Sequence, residues 1–196
     1  MNTYIFNTNQ NPVYIVYEKN ATYQSSIQKG NAYYFSVEPT VRVLLITAAT
    51  YYYVVQVTNP SYSTKNIFLE SLEITRVISG WDLIISVDTN MTLYNGGAVT
   101  TLQPITTINV NATSTNTSIA EVGSQGFGQT NPLIGGTLID TIPVLTDGYT
   151  YYNNYNGGIM LPKNTTLTLL FKVAIESLRD IDSTVTLFMI VRYWEE

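Results

Sequence analysis

At 196 residues the chain is long enough to bury a full core as one domain, 1–196, without covalent staples. Charged residues make up 12% of it, about half the ordinary share of roughly 25%, and the nine Lys and Arg are scattered through a chain of net charge −5, which excludes the clustered cations of a nucleic-acid binder. Cys and His are both absent, so disulfides, Cys/His zinc sites, thiol chemistry and imidazole catalysis are excluded as well.

The N-terminal run "MNTYIFNTNQNPVYIVYEKN" lacks a basic segment followed by an apolar one, so no signal peptide is expected. No apolar stretch approaches the roughly 18 residues of a membrane helix, so no membrane insertion is expected either. From there on, Val, Ile, Thr, Tyr and Phe recur in short runs bounded by Asn, Gly, Pro, Asp and Ser. This pattern predicts strands near 3–7, 12–17, 32–38, 41–47, 52–58, 66–77, 82–88, 104–111, 137–143, 165–174 and 184–193.

The stretch "AIESLRDID" at 174–182 alone has helical spacing, and its place between two strong strands makes it a turn or a single helical turn. Residues 111–132, rich in Thr, Asn, Ser and Gly, read as one long polar loop or hairpin excursion. Alternation is clearest late in the chain. Leu167, Leu169, Phe171 and Val173 fall on one face of one strand, and Val185, Leu187, Met189 and Val191 on one face of another. One buried face per strand implies antiparallel sheets, and the expected class is all-β, a two-sheet sandwich.

Within that frame "VVQVTNPSYSTKNIFLESLEI" is a strand, turn and strand. Val55, Val57, Ile67 and Leu69 anchor it, and Asn59, Pro60 and Ser61 set the structural turn. Ser61 and Lys65 are four residues apart in a turn, not in a nucleophile elbow. "GSQGFGQT" at 123–130 lacks the strand and helix that frame a phosphate loop, and Asp180 with Asp182 are too few for a calcium site. The N-x-S/T sequons at Asn20, Asn90, Asn111, Asn116 and Asn164 are no more than an Asn- and Thr-rich chain produces by chance. No catalytic, cofactor-binding or metal-ligating set stands out, and the expectation is a protein that is not an enzyme and uses no cofactor.

The sixteen tyrosines cluster at 51–53 and in "YTYYNNYNGG". Tyr149, Tyr151, Tyr152 and Tyr155 are either an aromatic contact surface for a glycan or protein, or a strand-forming run.

Three further stretches carry a resemblance: "IGGTLIDTIPV", then "NGGIMLPKNTTLTLLFKVA" with Gly157, Gly158, Leu161 and Pro162, then a closing "STVTLFMIVRYWEE" ending in Tyr193, Trp194, Glu195 and Glu196. Together with "VTNPSYSTKNIFLESLEI" they resemble, over roughly 50–196, jelly-roll structural proteins of tailed phages and related viruses, of the capsid-decoration, head-fibre or minor-capsid type. The resemblance implies a single jelly roll located in the virion, acting by assembly with itself, a trimer favoured, and with other virion proteins. Weakly charged surfaces rich in Tyr suit such subunit contacts. The competing expectations are a surface-filament subunit assembled by exchange of the first strand, and a sandwich that binds a carbohydrate receptor.

Overall fold

The computed structural model describes residues 2–5, 14–17, 19–45, 48–80, 85–144, 146–177 and 181–196, with side chains from Tyr23 onward except at 43–45, 85–86, 176–177 and 181–182. The predicted strand ends at 6–7, 12–13, 46–47 and 82–84, and Asp180, lie outside the described residues.

In chain order, β1 (Asn2–Ile5) and β2 (Tyr14–Tyr17) pair into a small sheet of their own, and α1 (Lys19–Gln28) follows. Then come β3 (Ala32–Val37), β4 (Thr40–Leu45), β5 (Ala49–Asn59), β6 (Ile67–Gly80) and β7 (Ile85–Asn95). The short β8 (Gln103–Pro104) and β9 (Ile108–Asn109) precede β10 (Glu121–Gly128). The chain finishes with β11 (Thr137–Pro143), β12 (Thr150–Leu161), β13 (Thr165–Ser177) and β14 (Ile181–Glu195).

One large sheet runs β11-β7-β13-β5-β10-β8 and the other β12-β6-β14-β3-β9, with β4 on β14 beyond β3. All the pairings are antiparallel, and the two sheets form a sandwich.

Period-two alternation builds the core. Leu167, Leu169, Phe171, Val173 and Ile175 of β13 face Val185, Leu187, Met189, Val191 and Tyr193 of β14, all buried. Burying each such side chain is worth about 1.5–3 kcal/mol. Val55, Val57, Ile67 and Leu69 belong to the same core.

The outer face of the first sheet is covered too. Val54, Gln56, Thr168 and Leu170 are buried there, although by alternation they point away from the core. The chain around Gly96 and Gly97 lies over Gln56 and Thr168: Gln56 Nε2 donates to the Gly97 carbonyl (3.1 Å) and to Thr168 Oγ1 (2.9 Å), and Thr168 Oγ1 donates to the Gly96 carbonyl (2.7 Å). Both buried polar side chains of this face, Gln56 and Thr168, thus have partners.

Three elements were not expected. The helix α1 has no apolar stripe, yet it packs across the outer face of the second sheet, where the Tyr23 ring meets Trp194 at 5.9 Å. It ends in a Schellman turn, with Gly30 N–H donating to the Ile27 carbonyl and Asn31 N–H to that of Ser26. Gly30 has φ 71°, and a Cβ there would fall 2.1 Å from Ser114 Oγ. Strand β10 occupies part of the excursion expected near 111–132, paired along β5. Strand β12 incorporates the tyrosine-rich run, paired along β6. Residues 174–177 continue β13 rather than turning.

Candidate functional site

The four tyrosines sit at the β12 margin but do not form one surface. Along β12, Tyr151, Asn153 and Tyr155 are half-buried, and Thr150, Tyr152 and Asn154 are exposed. Tyr149 precedes the strand, exposed, its ring edge-on to that of Tyr151 at 5.2 Å. Tyr151 accepts a hydrogen bond at its hydroxyl from Thr146 N–H (2.9 Å).

Tyr155 turns inward and donates to Asp140 Oδ2 (3.0 Å), which also accepts from Asn153 Nδ2 (3.2 Å). Asp140 is on β11, so these bonds close the gap between the edge strands of the two sheets. Burial, and then the bond to Asp140, pushes the Tyr155 hydroxyl far above the ordinary tyrosine value. Tyr151 and Tyr155 are therefore closure, and Tyr149 and Tyr152 are free surface.

The margin is also where apolar side chains are left uncovered. Among the described residues strand β11 pairs with β7 alone, and its Leu138 and Ile139 are exposed, as is Ile134. Its seven residues carry no lysine, and its edge is guarded by the bulge between Leu138 and Asp140, by the Asp140 charge and by Pro143 at its end. On the other sheet Met160 and Tyr152 of β12 are exposed.

The opposite end of the sandwich holds the turn and the C-terminus. Asn59 is fully buried and acts as a strut: Nδ2 donates to the carbonyls of Lys65 (2.8 Å) and Leu161 (2.9 Å). The turn itself spans Pro60–Ser63, closed by Ser63 N–H to the Pro60 carbonyl (3.1 Å), with Ser61 exposed in the middle. Ser63 Oγ holds Lys65 in place by bonding its carbonyl and its N–H. Ser63 and the contact of Tyr62 with Glu121 (2.9 Å) carry more of this turn than Ser61 does.

The C-terminal aromatic and acidic tail is internal structure. Trp194 stacks on Phe68 at 5.3 Å. Gly157, at φ 72°, lies against the indole so closely that a Cβ would be 2.3 Å from Cη2. Glu195 is buried, with Oε1 accepting from Ser118 Oγ (2.6 Å) and Ile119 N–H (2.9 Å). Its Oε2 is 3.8 Å from Lys65 Nζ. Ser118 Oγ in turn accepts from the Tyr193 hydroxyl (2.7 Å), whose ring stacks on Tyr33.

Among the described residues no group of three or more acidic side chains converges as a metal site, and no helix is long and apolar enough to cross a membrane. A shallow groove of about 220 Å³ lies between β5, β8 and β10, lined in part by Gln56, Thr58, Pro104 and Glu121. Gln56 and Thr58 already bond within the protein. No family model matches the chain, and no curated protein matches it in sequence.

Proposed function

We propose that this chain is a non-enzymatic structural protein of a virion, a decoration, head-fibre or minor capsid component, built on a single jelly roll and acting through oligomeric assembly. One observation carries the fold: the nesting of its strands. Taken in chain order as β3, β5, β6, β7, β11, β12, β13 and β14, the first pairs with the last, the second with the seventh, the third with the sixth and the fourth with the fifth. That nesting, folded over into two sheets, supports the jelly-roll reading. The segment β8–β10 is then an insertion between the fourth and fifth strands.

The assembly role draws on the margin. Two adjacent edge strands, with exposed Leu138, Ile139, Tyr152 and Met160, suit contact with a second copy better than contact with water. The sequence resemblance to phage jelly-roll proteins points the same way. Mass spectrometry and cross-linking of purified virions test the location. The expected outcome is this chain cross-linked to itself and to a capsid protein, and its absence from virions contradicts the proposal.

A filament subunit assembled by strand exchange is the second reading, favoured by β1 and β2, which among the described residues pair with neither large sheet. Deleting residues 1–10 separates the two. A filament subunit stops polymerising, and a decoration protein keeps its oligomer.

A further inference from the structure

We propose that Asn156 is a site of spontaneous covalent modification, at which the side-chain amide is lost and the residue becomes aspartate or isoaspartate. The tetrapeptide Tyr-Asn-Gly-Gly occurs twice, at 94–97 and at 155–158, and the fold holds the two copies in opposite ways.

The chemistry starts at the backbone. The Gly157 nitrogen gives up its proton to base and attacks the side-chain carbonyl carbon of Asn156. The bond from that carbon to Nδ2 breaks, and ammonia leaves with a proton taken back from solvent. Water then opens the five-membered imide at either carbonyl, so one water is consumed for each ammonia released. Opening at one carbonyl gives aspartate, and at the other isoaspartate, whose main chain is one carbon longer. Glycine in the second position suits the attack, because it has no Cβ to hinder the nitrogen. The step also needs a glycine N–H that is not held and a backbone free to turn.

The first copy meets neither condition. Asn95 ends β7 with a strand on each side, opposite Thr137 of β11 and Leu167 of β13. Gly96 N–H donates to the Thr166 carbonyl at 2.7 Å. The one Asp-Gly pair of the chain, which can form the same imide with loss of water, is held in the same manner. Asp147 Oδ1 accepts from Ile78 N–H, and Gly148 N–H donates to the Arg76 carbonyl, both at 2.7 Å.

The second copy lies where β12 leaves its ladder. Asn154 pairs with Ser71 and Ile159 with Leu69, and the residues between them have no ladder partner on β6. Asn156 and Gly157 both have left-handed backbone, φ 48° and 72°, the pattern of a tight turn of the I′ type. A Cβ on Gly158 would fall 2.9 Å from the Tyr155 carbonyl oxygen, so the turn brings its own ends together. Asn95 is exposed and Asn156 half-buried, so exposure alone ranks the two copies in the opposite order. Backbone restraint is the deciding difference. Conversion adds a negative charge to a chain of net charge −5, on the strand that carries the exposed Tyr152 and Met160.

The test is peptide mapping by mass spectrometry of the full chain kept folded in mildly alkaline buffer, beside the same chain unfolded in guanidinium. The proposal expects Asn156 to convert at least several-fold faster than Asn95 in the folded chain, and the two to convert at similar rates once unfolded. Asn95 converting as fast as Asn156 in the folded chain overturns it. So does an Asn156 that stays intact there while the unfolded chain converts. A preference for Asn156 that persists unchanged in guanidinium overturns it too, because local sequence then makes the choice and the fold does not.

Discussion

Strands β14 and β11 both mix Thr with aliphatic residues, and they meet opposite fates. Strand β14 has β6 on one edge and β3 and β4 on the other, and its Leu187 is completely buried. Strand β11 has β7 alone, and its Leu138 is 60% exposed. Strand order, not residue type, decides which apolar side chains are covered. A long-range pairing supplies β14 with neighbours on both sides, whereas β11 ends its sheet with Leu138 and Ile139 exposed. The centre holds the fold together, and the margin leaves apolar side chains exposed.

Substitutions can break that contrast at its centre first. Phe171→Ala removes a fully buried ring shared by β13 and the facing sheet, and is expected to cost about 3–5 kcal/mol in urea unfolding. A smaller loss would mean that the centre is less tightly packed than its burial implies. Gly157→Ala drives a methyl group into the Trp194 indole from a left-handed backbone and is expected to cost about 1–3 kcal/mol, with a change in tryptophan fluorescence as its mark. Closer to the margin, Asp140→Ala takes away the acceptor shared by Asn153 and Tyr155. Water can reach those partly exposed donors, so the expected cost is about 0.5–1.5 kcal/mol.

The same contrast explains what could be read from the sequence. The inward faces of β13 and β14 were legible because large apolar residues recur there at every second position, and Val55, Val57, Ile67 and Leu69 belong to the same core. Strand β12 was legible only in part, its tyrosine-rich run open between a contact surface and a strand-forming run. Its Asn-Asn-Tyr-Asn-Gly-Gly breaks the alternation, and the structure uses it as a bulge: Asn154 pairs with Ser71 and Ile159 with Leu69, so the extra residues loop out within one continuous strand. Strand β10 is disguised by Gly, Ser and Gln, and its pairing with β5 is made by backbone groups that composition does not reveal.

Helix α1 lacks an apolar stripe and is held instead by Trp194 and by Asn109 and Asn116, whose amides reach the Gly30 and Lys29 carbonyls from far along the chain. The turn was found, with its working residues displaced from Ser61 to Ser63. Glu195 read only as part of an acidic tail, since Ser118 and Lys65 become its partners through the fold alone. Of the four tyrosines, alternation along β12 divides the inward Tyr151 and Tyr155 from Tyr152, once β12 is known to be a strand.

The most direct test of assembly through the margin is size-exclusion chromatography with light scattering on the purified chain and on Leu138→Lys, with urea unfolding alongside. A charge at this exposed site should leave the unfolding free energy within about 0.5 kcal/mol of wild type. The account predicts a defined wild-type oligomer, a trimer favoured, that Leu138→Lys converts to monomer. A monomeric wild type, or an oligomer indifferent to the lysine, would contradict it.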